Sequence, residues 1–414
     1  MASVHVIGAG LAGLSAAVRL ADRGARVVVW EQAGEAGGRA RSFHDARLDR
    51  LIDNGNHLLL SGNRAALDYL ALLGAADRLT GPDGARFDFF DLQTRERWSI
   101  DLNRGPVPLW VMSRSRRVPG TSLGDYLAGL KLLTAGDRTV FDLFGGEGQM
   151  YRRFWEPFAV AVLNTDPKKA AARLLVPVIR ETLARGAERS RPLIARKGLT
   201  DTFVDPALAF LARHGGEVRL GRRIAGLERD DARITALATA RGGEPLGPDD
   251  RVVLAVPPWT AGELIADLQV PQNFAPIVNV HLRIDEARSP LRAEPLLGLI
   301  GGTAQWLFVR DDVASVTVSA AQALAETAAE DIIATVWAEV ALALDLDATR
   351  PVVARVIKER RATFEATPAE IARRPPTRTR WRNLVLAGDW TDTGLPATIE
   401  SAVRSGEKAA AALA

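Results

Sequence analysis

The run Gly8-Ala9-Gly10-Leu11-Ala12-Gly13 constrains this chain more than any other stretch. It lies between an apolar, β-branched segment (residues 4–7) and a segment of helical periodicity (residues 11–23). A second apolar run at 26–30 completes a βαβ reading. Gly8 permits a tight turn, Gly10 lets main-chain N–H groups approach a pyrophosphate, and Gly13 lets the helix pack closely on the strand. Leu11 and Ala12 lie in the same turn, at a helix N-terminus that favours an anion. Glu31, with Gln32 beside it, ends the second strand eighteen residues after Gly13. A carboxylate there accepts hydrogen bonds from an adenosine ribose and repels a 2′-phosphate. A tight glycine turn with an unrelated surface glutamate is the structural alternative.

This motif alone does not separate NAD from FAD, and two further features select FAD. Gly37-Gly38-Arg39 follows Glu31 closely, so the chain can pass near the cofactor while a guanidinium neutralises phosphate charge. Far along the sequence, Gly388-Asp389 follows a strand-like run (383–387), and Pro396-Ala397-Thr398-Ile399 leads into a helical stretch ending near 413. That arrangement offers a second helix N-terminus to the electron-rich end of a flavin. Taken singly, these pieces also read as a turn and a helix cap.

At 414 residues, with 47% hydrophobic and 25% charged residues, the chain has ordinary globular composition and enough length for two spatial domains. Short strands are expected at 217–220, 224–229 and 251–256. The division predicted is an α/β, Rossmann-like FAD-binding domain from residues 1–60, 190–270 and 374–414. An α+β substrate domain from 61–189 and 271–373 completes it. Cysteine is absent, which excludes disulfides, thiolate metal sites and a cysteinyl flavin link, and suits a reducing cytoplasm. The net charge of +3 is spread among acidic residues, so no nucleic-acid partner is expected. No run approaches the roughly 20 apolar residues of a membrane span. Residues 1–7 are too short and uncharged for a signal peptide.

The stretches GAGLAGLSAAVRLADRG through GGR, the strands between 217 and 258, and LVLAGDWTDTGLPATIESAVRSGEKAA together resemble the flavin amine oxidase and carotenoid desaturase superfamily. That resemblance implies that the backbone near Ile224 meets the adenine and Asp389 the pyrophosphate or ribityl chain. It also implies that Ala397, Thr398 and Ile399 meet the isoalloxazine, and that Asn54, Gly55, Asn56 and His57 pass by the flavin ring. Within the superfamily, DNGNHLLL (53–60), FWEPFAVAVLNT (154–165) and GDWTDTGLPATIESAVRSG (388–406) resemble the hydroxysqualene dehydroxylases. Asn56 stands where glutamine is more usual in that branch.

The branch resemblance implies reduction of an allylic C30 isoprenoid alcohol to squalene by reduced FAD, with an external reductant. Such chemistry needs an apolar tunnel, a proton source and exclusion of water. Trp155, Phe158, Trp306 and Phe308 are candidate tunnel walls, although aromatics at such spacing also serve as plain core. His57 is the first candidate proton donor, the alternative being a histidine that packs and hydrogen-bonds near the ring without exchanging protons; Glu156, if burial raises its pKa, is the second, the alternative being a helix-surface carboxylate. His5, His44, His214 and His281 lack metal-ligand spacing, so no metal is expected. A Trp-containing apolar run beside Arg114, Arg116 and Arg117 (residues 107–117) reads either as a partly buried loop with a solvated basic flank or as a peripheral contact with the cytoplasmic face of an anionic membrane, and the C30 substrate implied by the resemblance favours the membrane. A desaturase or amine oxidase would hold the flavin with the same residues, and so would a non-catalytic FAD or prenyl-lipid carrier.

Overall fold

The structure is a computed structural model that describes residues 2–240, 242–284, 296–350 and 352–413. Five parallel strands form one sheet in the order Glu217–Arg219, Arg26–Trp30, Ser3–Ile7, Arg251–Leu254, Leu384–Leu386. The three inner strands are largely apolar on both faces because both faces are covered, whereas the edge strand Glu217–Arg219 is partly exposed. Val4, Val6, Val27, Val29, Val253 and Val385 point to one side, into a core shared with the helices Leu11–Asp22, Asp205–Arg213 and Ile399–Ala412. The alternate residues Ile7, Val28, Trp30, Val252, Leu254 and Leu386 point to the other side. There they meet an antiparallel meander, Ile224–Arg229, Ile234–Thr239 and Gly242–Pro245.

The helix Ile399–Ala412 begins at Thr398, whose side chain accepts the Ser401 N–H. Its Glu400 is almost fully buried and accepts the N–H groups of Ala65 and Ala66 at 3.0 and 2.9 Å. A carboxylate is thereby placed at the N-terminus of the helix Arg64–Leu72, where the dipole favours it. That helix packs into the same core as the first and last helices, although it lies beyond the boundary at residue 60 suggested by the sequence.

A second sheet has seven strands in the order Val353–Phe364, Phe274–Arg283, Val313–Val318, Trp306–Arg310, Leu296–Ile300, Ala85–Asp91, Arg97–Leu102. Its pairings are antiparallel except that between Leu296–Ile300 and Ala85–Asp91. One face buries Val278, Val280, Leu307, Val309 and Val316 under the helix Ala329–Leu344. The opposite face carries Phe89 and Trp306, which pack against a mainly helical lobe holding Tyr151, Trp155 and Leu163. The fold is α/β with an α+β second part.

Candidate active site

The glycine turn is fixed by close backbone contacts. A Cβ at Gly13 would lie 1.9 Å from the Gly8 carbonyl oxygen, and one at Gly8, whose φ is +106°, would lie 2.5 Å from the Ala255 oxygen. Neither position tolerates a side chain. Around Gly10, by contrast, there is open space, and no side chain caps the helix that starts at Leu11. Unshared N–H groups facing open space suit a pyrophosphate. The Gly37-Gly38 pair closes on this turn: the Gly37 N–H donates to the Ala9 carbonyl at 2.8 Å, and a Cβ at Gly38 would be 3.3 Å from the Gly10 Cα.

Glu31 bridges the two loops by accepting the N–H of Ala9 at 2.8 Å and that of Ala33 at 2.9 Å. The Arg222 N–H donates to the Glu31 carbonyl, so the chain entering the Ile224 strand passes beside this carboxylate. Ile224 is buried and Gln32 is exposed. From the far end of the sequence, Asp389 reaches Arg39 in a two-pronged ion pair of 2.7 and 2.8 Å. Arg39 also donates to the Ala362 carbonyl. Ala397 is partly exposed and Ile399 buried, on either side of the capping Thr398.

Arg374, which sequence reasoning did not single out, holds the loop after Asp389. Almost fully buried, it donates to the carbonyls of Thr391, Leu395 and Asp389 at 3.0, 2.8 and 3.2 Å and to the Thr393 hydroxyl at 3.0 Å. Burial pulls its pKa down to about 10, so it keeps its charge near neutrality. One arginine of the Arg373-Arg374 pair before Pro375 gives no sequence signal for this role.

The DNGNH loop lies against the second sheet. Asp53 accepts from Ser42 Oγ and the Leu199 N–H and pairs with Arg310 at 2.9 Å. The Asn54 carbonyl accepts from Asn279 Nδ2 at 3.4 Å, and Gly55 sits close to the same amide. Asn56 Nδ2 donates to Thr317 Oγ1 at 3.1 Å, and that hydroxyl donates to Asn279 Oδ1 at 2.8 Å. In the next register row, His281 Nδ1 lies 2.7 Å from Ser315 Oγ. Asn279, His281, Ser315 and Thr317 are thus buried polar groups on one sheet face. Their signal in the sequence is the alternation Val-Asn-Val-His-Leu and Ala-Ser-Val-Thr-Val.

Trp306 is opposite Thr317 and Phe308 opposite Ser315, so both aromatics stand on the face that receives Asn56. Trp306 meets Phe89 edge to face at 5.8 Å and joins the apolar cluster that contains Trp155 and Phe158. Trp155 stacks on Phe144 at 4.0 Å, and Phe158 stacks on Phe154 at 5.7 Å. Phe308 is one register step from Trp306 and outside that cluster.

His57 is half-buried, and desolvation lowers its pKa to about 4; Asp53 opposes the shift and Arg39 assists it. It is therefore a neutral imidazole near pH 7. Glu156 begins the helix Glu156–Leu163, and partial burial, followed by the charge of Asp166, raises its pKa. The other end of that helix is anchored by Asn164, in a left-handed conformation, through Ala275, Thr363 and Ala320 at 3.1, 2.9 and 2.6 Å. Thr165 adds a bond to the Ala366 N–H. Sequence reasoning used the aromatic part of FWEPFAVAVLNT and missed these two anchors, whose sign is an asparagine just past a helix.

A glycine cradle open at Gly10, a carboxylate at the second strand, and an arginine–aspartate pair across the two glycine loops form a donor set that fits FAD. The profile of the family described as flavin containing amine oxidoreductase matches residues 11–414. A hydroxysqualene dehydroxylase of Rhodopseudomonas palustris is 47% identical over 99% of this chain and 97% of its own. Another, from Sinorhizobium fredii, is 44% identical with the same coverages. Among solved structures, cyclohexylamine oxidase from Brevibacterium oxydans superposes with a TM-score of 0.72 over 100% of this chain and 98% of its own, at 18% identity. Glycine turn, paired loops and whole-length similarity converge: the chain belongs to the flavin-containing amine oxidoreductase family, among its hydroxysqualene dehydroxylases, and is an FAD-dependent oxidoreductase.

Proposed function

We propose that this chain converts hydroxysqualene to squalene, breaking the allylic carbon–oxygen bond, releasing water and placing a hydride on the carbon. The observation that supports this most is the junction at Thr317, where the Asn56 loop from the cofactor side and Trp306 from the aromatic cluster meet on one sheet face. The names carried by the relatives point the same way. When bound, reduced FAD supplies the hydride, and an external donor must restore it.

The chain's own residues have separable tasks in this reading. The glycine turn, Glu31, Arg39 and Asp389 hold the dinucleotide, with Ile224 beside the adenine and residues 397–399 beside the flavin ring. Residues 1–60, 190–270 and 374–414 are its main support, and 61–189 and 271–373 handle the isoprenoid. Trp155, Phe158, Trp306 and Phe308 line its apolar path and keep water from the allylic cation. Neutral His57 donates a ring N–H hydrogen bond to the departing oxygen. Glu156, whose pKa partial burial raises, delivers the proton.

Anaerobic mixing of the reduced holoprotein with hydroxysqualene in D2O tests the reaction: flavin reoxidation should accompany squalene formation, and one deuterium should appear on the carbon that carried the hydroxyl. Unlabelled squalene, or a reduced flavin left unchanged, refutes it. The two acid roles separate by pH. The rate should fall as pH rises through the elevated Glu156 pKa, Glu156→Gln should remove that limb, and His57→Ala should slow turnover about 10²-fold without moving it.

A further inference from the structure

We infer that residues 107–133 form a docking face for an anionic phospholipid bilayer, with leucines rather than Trp110 as its inserting edge. Among the described residues, seven of the eleven exposed large apolar side chains fall within this span. They come from two neighbouring segments. The first, around the 3₁₀ turn Leu109–Met112, exposes Val107, Leu109 and Met112 by 61, 64 and 67%. The second is the 3₁₀ stretch Gly124–Thr134. With three residues per turn, side chains three apart eclipse. Leu127, Leu130 and Leu133 therefore stand in one outward row, exposed by 65, 62 and 81%. The adjacent row turns inward: Tyr126 and Leu132 join the lobe's core, and a Cβ at Gly129 would be 3.7 Å from the Trp155 ring.

The two segments form one surface. Trp110 meets Tyr126 edge to face at 5.3 Å, and the Tyr126 hydroxyl accepts the Val118 N–H at 2.9 Å. Trp110 is thus the strut that joins the ridges, and the apolar edge is made by its neighbours.

Charge selects the occupant. Residues 104–134 include five basic side chains and one acidic one. Arg116 is tied to Asp101 at 2.6 Å, while Arg104, Arg114 and Lys131 are exposed. A second copy docking through the same patch would set one net-positive surface against another, because a two-fold interface uses the same patch on both copies. Anionic headgroups neutralise them while the leucines enter the acyl boundary. Among the described residues no helix is long and apolar enough to cross a membrane, so this contact rests on one leaflet. Docking of this kind is independent of which substrate the site takes.

Sedimentation of the FAD-loaded protein with phosphatidylcholine vesicles, with and without phosphatidylglycerol, tests the inference. The wild type should bind the anionic vesicles. The triple variant Leu127→Ser, Leu130→Ser, Leu133→Ser should partition at least about tenfold less. Leu133→Asp, at the most exposed position, should weaken binding in the same direction and serves if the triple variant aggregates. Arg114→Ser with Lys131→Ser should lose binding only to the anionic vesicles and flatten its salt dependence. Equal partitioning of wild type and either leucine variant overturns the inference. So does a wild type that ignores anionic vesicles but sediments as a dimer which the leucine variants dissociate.

Discussion

The two large sheets bury polar atoms in opposite ways. In the parallel sheet, the face residues of the three inner strands are almost wholly apolar, and chemistry is left to backbone and loops at the strand ends, such as the Gly8 to Gly13 turn and the Gly388-Asp389 corner. In the seven-stranded sheet, one face is equally apolar, but the other buries Asn279, His281, Ser315 and Thr317 beneath the Asn56 loop. A cofactor common to a whole family is met by main chain, which few substitutions can improve. In the proposed reaction the substrate is met by side chains, which can be exchanged without moving a strand. Substitutions in the first sheet should therefore abolish flavin binding, and those in the second should leave the flavin and change turnover.

The largest effect expected is from Gly13→Val. Its side chain has no space beside the Gly8 carbonyl, so a loss of about 4 kcal/mol or more and of all bound FAD should follow, seen in flavin absorbance and thermal melting. Normal flavin content in that variant would break the contrast. Arg374→Met should come next: three loop carbonyls lose a buried partner, costing about 3 kcal/mol and loosening the Asp389 loop. A melting temperature equal to wild type would show that the loop holds itself.

The third effect concerns pH and the second sheet. Desolvation takes the His281 pKa from 6.5 to about 4, while Asp53 and its main chain pull the other way. The unfolded chain thus takes up this proton first as pH falls, and stability is lost from pH 6.5 downward until about 4. Between pH 6.5 and 5 the wild type should lose about 1.6 kcal/mol through this one group, and His281→Gln should lose that much less. Parallel losses in both proteins would assign the acid sensitivity elsewhere. Smallest is Trp306→Leu, which should keep FAD and lower kcat/KM roughly fivefold, about 1 kcal/mol. If it also sheds flavin, the two sheets are not separable in function.

How much of this was legible follows from the same difference. Backbone crowding leaves glycines at fixed spacing, and a strand covered on both faces leaves an unbroken apolar run, so residues 3–31 and 251–254 could be read directly. The Arg39–Asp389 pair joins positions 350 residues apart, and no local pattern records it. The alternation at 278–282 and 314–318 was visible, but a polar face turned to water and one buried under a loop leave the same trace. Leucines three apart at 127, 130 and 133 look like the inner stripe of a helix, and only the 3₁₀ winding turns them outward.

The order in which the parallel sheet is assembled has a consequence for synthesis. Ser3 donates its N–H to Asp250, 247 residues away, and the strand beside Arg251–Leu254 comes only at Leu384–Leu386. The first strand can pair early with Arg26–Trp30, but at about 5–20 residues per second it emerges from the ribosome tens of seconds before its second neighbour, Arg251–Leu254, exists. Through that interval it offers an unpaired apolar edge, an aggregation hazard best contained by a chaperone or a slower, cooler expression. FAD can be captured in full only after both glycine corners have been made, so cofactor loading closes the folding of this protein rather than guiding its start.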